Sequence, residues 1–257
     1  MITVKVNGLT GTIILDRAPR CNALDRQMVE QLSQALDDLR QEKRVRGVVL
    51  TGAGAHFCAG LDLTELHETA VSAEPFPQWY QDSQGLQSLL EQMLQFPKPI
   101  VAAIDGASIG FGMALVLASD LVVASGRATF SVPAPRLGLV SGLVAPLLVF
   151  RGGGSIASRM LLGSDELSAA EAKELGLVHH VVSADQIWVR ASNWIDSLSA
   201  GAAESLQLTK RVLNEMVGEQ ISTQLSSGAA AMATSLTTEA AVEGLKAFAE
   251  KREPRFP

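Results

Sequence analysis

Two segments place glycines where an extended run gives way to a helical one: Ala55-His-Phe-Cys-Ala-Gly-Leu-Asp-Leu63 and Ile104-Asp-Gly-Ala-Ser-Ile-Gly-Phe-Gly-Met-Ala114. At such a junction the free N–H groups and the dipole of a helix N-terminus both favour developing negative charge. Two N–H groups aimed at one carbonyl oxygen would form an oxyanion hole, worth about 3 kcal/mol per donor. The same glycines also serve plain tight turns. Within the second segment, Gly106-Ala-Ser-Ile-Gly110 fits the Gly-x-Ser-x-Gly pattern of a nucleophile elbow. Asp165 and His179 or His180 then follow in the order that a hydrolase built on Ser108 would need, although no His-Gly-Gly motif precedes them. A dinucleotide-binding turn fails. Phe57 occupies the third glycine position after Gly52-x-Gly54, and Tyr80 is followed by Gln84 where a Tyr-x-x-x-Lys pair needs lysine.

The elements that would position these segments are legible in the periodicity. Thr3–Asn7 and Gly11–Leu15 read as a hairpin turning at Asn7-Gly8. Leu24, Met28, Leu32, Ala35, Leu36 and Leu39 recur at helical spacing over Leu24–Gln41. Gly47–Thr51, Pro99–Ile104, Leu121–Ala124, Ala128–Ser131 and Leu177–Val182 read as strands. Gly106–Gly112 reads as a turn leading into a helix that starts at Met113. Asp62 and Glu65 have the spacing of an N-cap and its N3 partner, as do Ser168 and Glu171, with Gly176 as the following stop. The polar, proline-broken stretch Thr69–Pro77 reads as a mobile surface loop. The alternation predicts an α/β core with parallel strands over residues 1–185, then a helical region over 186–257.

Composition narrows the class. The 257 residues are 47% hydrophobic and 19% charged, enough to bury a sizeable core. Lys+Arg 21 against Asp+Glu 27 gives a net charge of -6, which argues against a general nucleic-acid binder. Two cysteines, Cys21 and Cys58, are too few for a disulfide framework, and the four histidines form no HExxH metal motif. The uncharged runs Gly106–Ser119 and Leu137–Phe150 fall short of the roughly 20 residues that span a bilayer. The opening MITVKVNG reads straight into a strand with no signal-peptide core, so the expected compartment is the cytoplasm.

Several motifs in order then resemble one family. Asn22-Ala-Leu, Val48-Val-Leu-Thr-Gly-Ala-Gly54 and Phe57-Cys-Ala-Gly-Leu-Asp-Leu63 are similar to the crotonase (enoyl-CoA hydratase/isomerase) superfamily. Pro97-Lys-Pro-Ile-Val-Ala-Ala-Ile-Asp-Gly-Ala-Ser-Ile-Gly-Phe-Gly112, Ala118-Ser-Asp120, Leu175-Gly-Leu-Val178 and the ending Gly244–Phe256 continue the likeness. The resemblance implies a spiral of ββα turns with a C-terminal helical region that trimerises, giving a homotrimer or hexamer. It implies an acyl-CoA thioester as partner, with an enolate stabilised by the backbone amides of Leu61 and Phe111. Phe111 departs from the commoner glycine, but a backbone donor survives a side-chain change. By the same resemblance Arg20, Ala59, Asp62, Leu63, Phe248 and Lys251 would meet CoA, Phe248 and Lys251 often from a neighbouring subunit. No cofactor beyond the substrate's CoA, and no metal, is implied.

The likeness breaks where a hydratase of this family carries two glutamates. Those positions fall on Ala114 and Ala134, and a third position where relatives place an acid falls on Gly142. General acid–base work needs a titratable group within hydrogen-bond reach, which alanine and glycine lack. Ser141, where some family decarboxylases carry tyrosine, is one substitute; Glu65, His67, Glu68 and Tyr80 are others. Leu63, Leu66, Met113, Leu137 and Leu139 are candidates for an apolar acyl pocket. The sequence thus predicts an acyl-CoA enzyme of this family, with a non-catalytic acyl-CoA binding protein as the alternative and a Ser108 hydrolase as a remote one.

Overall fold

A computed structural model describes residues 1–256, with the side chains of residues 215–219 outside the description. The chain opens as the expected hairpin, β1 (Ile2–Asn7) and β2 (Thr10–Leu15), paired antiparallel with Asn7 opposite Thr10. α1 (Arg26–Gln41) follows, its N-terminus closed by Asp25, whose side chain accepts from the Met28 amide. It buries Met28, Leu32, Ala35, Leu36 and Leu39, the stripe that the periodicity predicts. Then come β3 (Gly47–Gly52), α2 (Leu63–Ala70), α3 (Pro75–Gln95), β4 (Ile100–Ile104), β5 (Ala107–Ile109) and α4 (Phe111–Ala118). The order continues with β6 (Leu121–Ser125), β7 (Thr129–Ser131), a short 3-10 turn over Ala134–Leu137, and α5 (Val144–Leu161). β8 (Leu167–Ser168), α6 (Ala169–Glu174), β9 (His180–Val182), α7 (Ile187–Leu198), α8 (Ala203–Ser235) and α9 (Glu239–Ala249) complete it.

The strands form two sheets. Six run in the order β1-β2-β3-β4-β6-β9, parallel from β2 onward, and β5-β7-β8 form a second sheet of three. Alternate residues of the larger sheet serve two cores. Val49, Val101, Ala103 and Val123 meet Ile187, Ala191 and Ile195 of α7. Their neighbours Val48, Leu50, Ala102, Ile104, Val122 and Ala124 face the main core with α1, α3 and α4. Both faces are covered, which is why these strands read as unbroken apolar runs.

Three expectations need correction. Thr69–Pro77 is not a loop: α2 runs to Ala70 and α3 starts at Pro75, leaving only a short turn between them. Pro75 stands at the first helical position, where a missing N–H costs nothing, so the prolines open a helix rather than break one. α4 starts two residues earlier than expected, at Phe111, and the last strand is confined to His180–Val182. The capping box of Ser168 and Glu171 is present in both directions. Beyond Val182 the described residues contain helices and no strand. α8 packs on α3 and α5, while α9 packs on α2 and the 134–137 turn, so the C-terminal helices return over the glycine-rich segments.

Candidate functional site

The segment Phe57–Leu61 is held edge-on between two neighbours. The Leu24 amide donates to the Gly60 carbonyl at 2.7 Å, and the Asp62 amide donates to the Leu24 carbonyl at 2.8 Å. In this parallel bridge the groups flanking Leu61 face Leu24, so Leu61's own N–H points the other way. On that opposite side the Ile109 amide donates to the Cys58 carbonyl at 2.9 Å, which brings the start of α4 alongside. Phe111 is the first residue of α4, so the helix supplies no acceptor for its amide. Gly60 makes the approach possible. Its φ is +93°, and a Cβ there would lie 2.9 Å from the Ile109 carbonyl oxygen and 3.4 Å from the Phe111 nitrogen. Leu61 and Phe111 together line a cavity of about 340 Å³. Two amides without a chain partner on one rim are what an oxyanion hole requires.

The rim is braced from below. Asn22 is fully buried, and its side-chain amide donates to the carbonyls of Ala53 and His56 at 2.9 and 2.8 Å, tying the turn after β3 in place. Asp62 caps α2 by accepting from the Thr64 amide at 2.9 Å, and it also takes a 2.6 Å hydrogen bond from Arg17. Burial works to raise the Asp62 carboxyl, but the bonds from Arg17 and Thr64 outweigh it and hold its pKa below the ordinary value. Arg17 is a member of the site that the sequence reading missed; its position before the Asn22 motif was the available signal. Glu65 does not reciprocate the cap. Its carboxylate turns to Arg26 instead, accepting from that amide at 3.1 Å. Cys58 sits beneath the rim, and burial pushes its thiol up to about 12, which makes it inert as a nucleophile.

The cavity walls are apolar. Leu63, Leu66, Leu137 and Leu139 line them, but Met113 lies wholly inside the core. Met232 and Ser235 of α8, with Leu236 directly after it, reach the cavity, a contribution with no local sequence signal. Ala134 and Ser141 are on the wall; Ala114 is enclosed in α4, where all eight residues are buried. Gly142 is pressed against α8: a Cβ there would fall 2.0 Å from the Gly228 carbonyl oxygen. No side chain fits at that position without moving the helix. Among the described lining residues Arg136 is the only ionisable one, and its guanidinium donates a 3.4 Å hydrogen bond to the Ser164 carbonyl.

The remaining candidates distribute unevenly. Ala59 and Phe248 line the same cavity, so Phe248 covers the site of its own chain. Arg20 and Lys251 are exposed and line neither this cavity nor its neighbour. Asp62 and Glu65 line a smaller adjoining cavity, whereas His67, Glu68 and Tyr80 line neither. The hydrolase arrangement is not assembled. Ser108 is fully buried with an unpartnered hydroxyl, Asp165 pairs with Arg159, and His179 accepts from the Val122 amide. Among the described residues no group of three or more His, Cys, Asp or Glu is placed to hold a metal, and no helix is long and apolar enough to cross a membrane.

Comparisons with known proteins identify the family and the fold. The family model for enoyl-CoA hydratase/isomerase matches residues 7–257. A putative enoyl-CoA hydratase from Thermus thermophilus is 36% identical over 250 residues, covering 97% of this chain and 98% of that one. The mitochondrial methylglutaconyl-CoA hydratase of Mus musculus is 30% identical over 257 residues, covering 96% of this chain and 79% of its own length. Among solved structures, an enoyl-CoA hydratase/isomerase from Xanthobacter autotrophicus Py2 superposes with a TM-score of 0.89 at 28% identity, over 100% of this chain and 98% of that one.

Proposed function

The chain belongs to the enoyl-CoA hydratase/isomerase family, and from that premise we propose that it acts on acyl-CoA thioesters by stabilising an enolate between the amides of Leu61 and Phe111. The observation that carries this reading is the pair of amides without chain acceptors on the rim of one apolar cavity. CoA is proposed to run past Ala59, Asp62 and Leu63 toward Phe248, with Arg20 and Lys251 at its phosphates. It enters as part of the substrate, and the proposed reaction draws on no further cofactor. We further propose a cytoplasmic homotrimer or hexamer, in which a copy covers Leu208, Val212 and Leu213, exposed along α8.

The reaction class follows from what the cavity lacks. With alanine at positions 114 and 134 and no room at Gly142, no carboxylate stands among the described residues lining the larger cavity, so two-glutamate hydration is not the proposed chemistry. A malonyl-type thioester needs no protein base. The bond from its α-carbon to the carboxylate breaks, carbon dioxide leaves, and the electron pair moves into the enolate, whose oxygen accepts a hydrogen bond from each amide. A proton from water then returns to the α-carbon. Arg136, the one charged group among the described wall residues, would attract the carboxylate before cleavage, and the Ser141 hydroxyl lines the same cavity.

A second reading, a binding protein without turnover, is favoured by that same absence of a titratable acid or base. Incubating the protein with enoyl-, 3-hydroxyacyl-, malonyl-type and saturated acyl-CoAs, with products read by mass spectrometry, separates the two. Loss of carbon dioxide supports decarboxylation, and gain or loss of water overturns it. An unchanged panel with one member protecting against thermal unfolding supports the binding protein. No reaction and no protection removes the CoA reading altogether.

A further inference from the structure

A smaller cavity of about 170 Å³ adjoins the first. Leu61, Leu66, Met232 and Leu236 line both, so the partition between them is four apolar side chains, including a methionine that repacks readily. The rest of its wall mixes Leu24, Val29 and Leu86 with polar side chains, whose less exposed members pair with one another. Arg26 donates to both oxygens of Asp82 at 2.8 Å and to the Thr69 hydroxyl at 2.6 Å, and it pairs with Glu65. Gln78 also donates to Asp82, while Asp25 and Asp62 both meet Arg17.

Trp79 is the exception. It lines this cavity at 2% exposure, and its indole N–H has no acceptor. Buried indole donors usually find a partner, so the missing group is a hydrogen-bond acceptor. The acceptor should be uncharged. Asp25, Glu30, Asp62, Glu65 and Asp82 line the space against Arg26 alone, with Arg17 paired behind Asp25 and Asp62, and a carboxylate or phosphate there would be repelled.

We propose that the smaller cavity receives the far end of the acyl group and selects chains that bear a neutral oxygen, a hydroxyl or keto group, on the Trp79 N–H. The proposal rests on the acyl-CoA reading above. Leu66 and Met232 would turn aside to admit the chain.

The test is a calorimetric binding series of straight-chain acyl-CoAs of increasing length, each ending in a methyl or a hydroxyl group. Short chains should bind alike with either end. Once the chain is long enough to pass the partition, the hydroxyl-ended member should bind about three- to tenfold more tightly. Trp79→Phe should erase that preference and leave short-chain affinity unchanged. Equal affinity for both ends at every length overturns the proposal, as does a preference that survives Trp79→Phe. If that variant fails to fold, the wild-type series alone decides. If short chains bind and no preference emerges, this proposal falls while the acyl-CoA reading stands. If no member of the series binds, both fall.

Discussion

The rim and the wall of the larger cavity are built on different principles. The rim, Phe57–Leu61 against Ile109–Phe111, presents backbone, and its neighbours are set by main-chain hydrogen bonds and by Gly60. The wall, Ala134–Val144 with α8, presents side chains. The proposed donors are backbone amides, so Phe111 supplies one as any residue other than proline would. The wall has alanine at one acid position and a glycine locked against a helix at another. Function carried by main chain survives substitution; function carried by side chains is lost with a single residue.

Breaking the rim should have the largest effect. Gly60→Ala forces a Cβ against the Ile109 carbonyl at a φ that L-residues avoid, and so displaces a donor. Turnover should fall about 10²–10³-fold, as read in steady-state assays, with circular dichroism confirming the fold. On the wall, Gly142→Ala should destabilise the protein by about 1–3 kcal/mol through overpacking against Gly228. Ala134→Glu, at a half-buried position on the cavity, should be tolerated. Chemical denaturation distinguishes them, and equal stability of the two variants would dissolve the contrast between a closed and an open acid position.

Arg136→Ala should weaken binding of carboxylate-bearing thioesters about tenfold, the scale of a hydrogen bond to a charged group, and leave neutral acyl-CoAs unaffected. Calorimetry on matched pairs would show it. The smallest effect belongs to the brace. Asp62 has a lower pKa folded than unfolded, so its contribution to stability is present above about pH 4 and is lost as pH falls through the folded value. Asp62→Asn should flatten the acid side of the melting-temperature profile by lowering its neutral plateau toward the acid value.

Legibility in the sequence follows the same division. The hairpin, the α1 stripe, the Ser168–Glu171 capping box and the two glycine-bearing segments that lead into helices are readable because each is set by residues close in the chain. The start of α3 is not, because Pro75 and Pro77 signal a break anywhere except a first helical turn. Met232 and Leu236 on the cavity, and the fit of Gly142 against Gly228, depend on α8 returning across the whole fold. No local pattern records such a return. Glu65 had the spacing of a capping partner, yet Arg26, distant in sequence, took its carboxylate.

Enolate formation supported by backbone amides alone is the proposed chemistry. It is tested most directly by incubating the protein with a malonyl-type thioester in heavy water and reading the product by mass spectrometry. The account predicts release of carbon dioxide and a shortened acyl-CoA carrying one deuterium on its α-carbon, with the rate collapsing in Gly60→Ala. An intact malonyl-type thioester, alongside rapid addition of water to an enoyl-CoA, would contradict it.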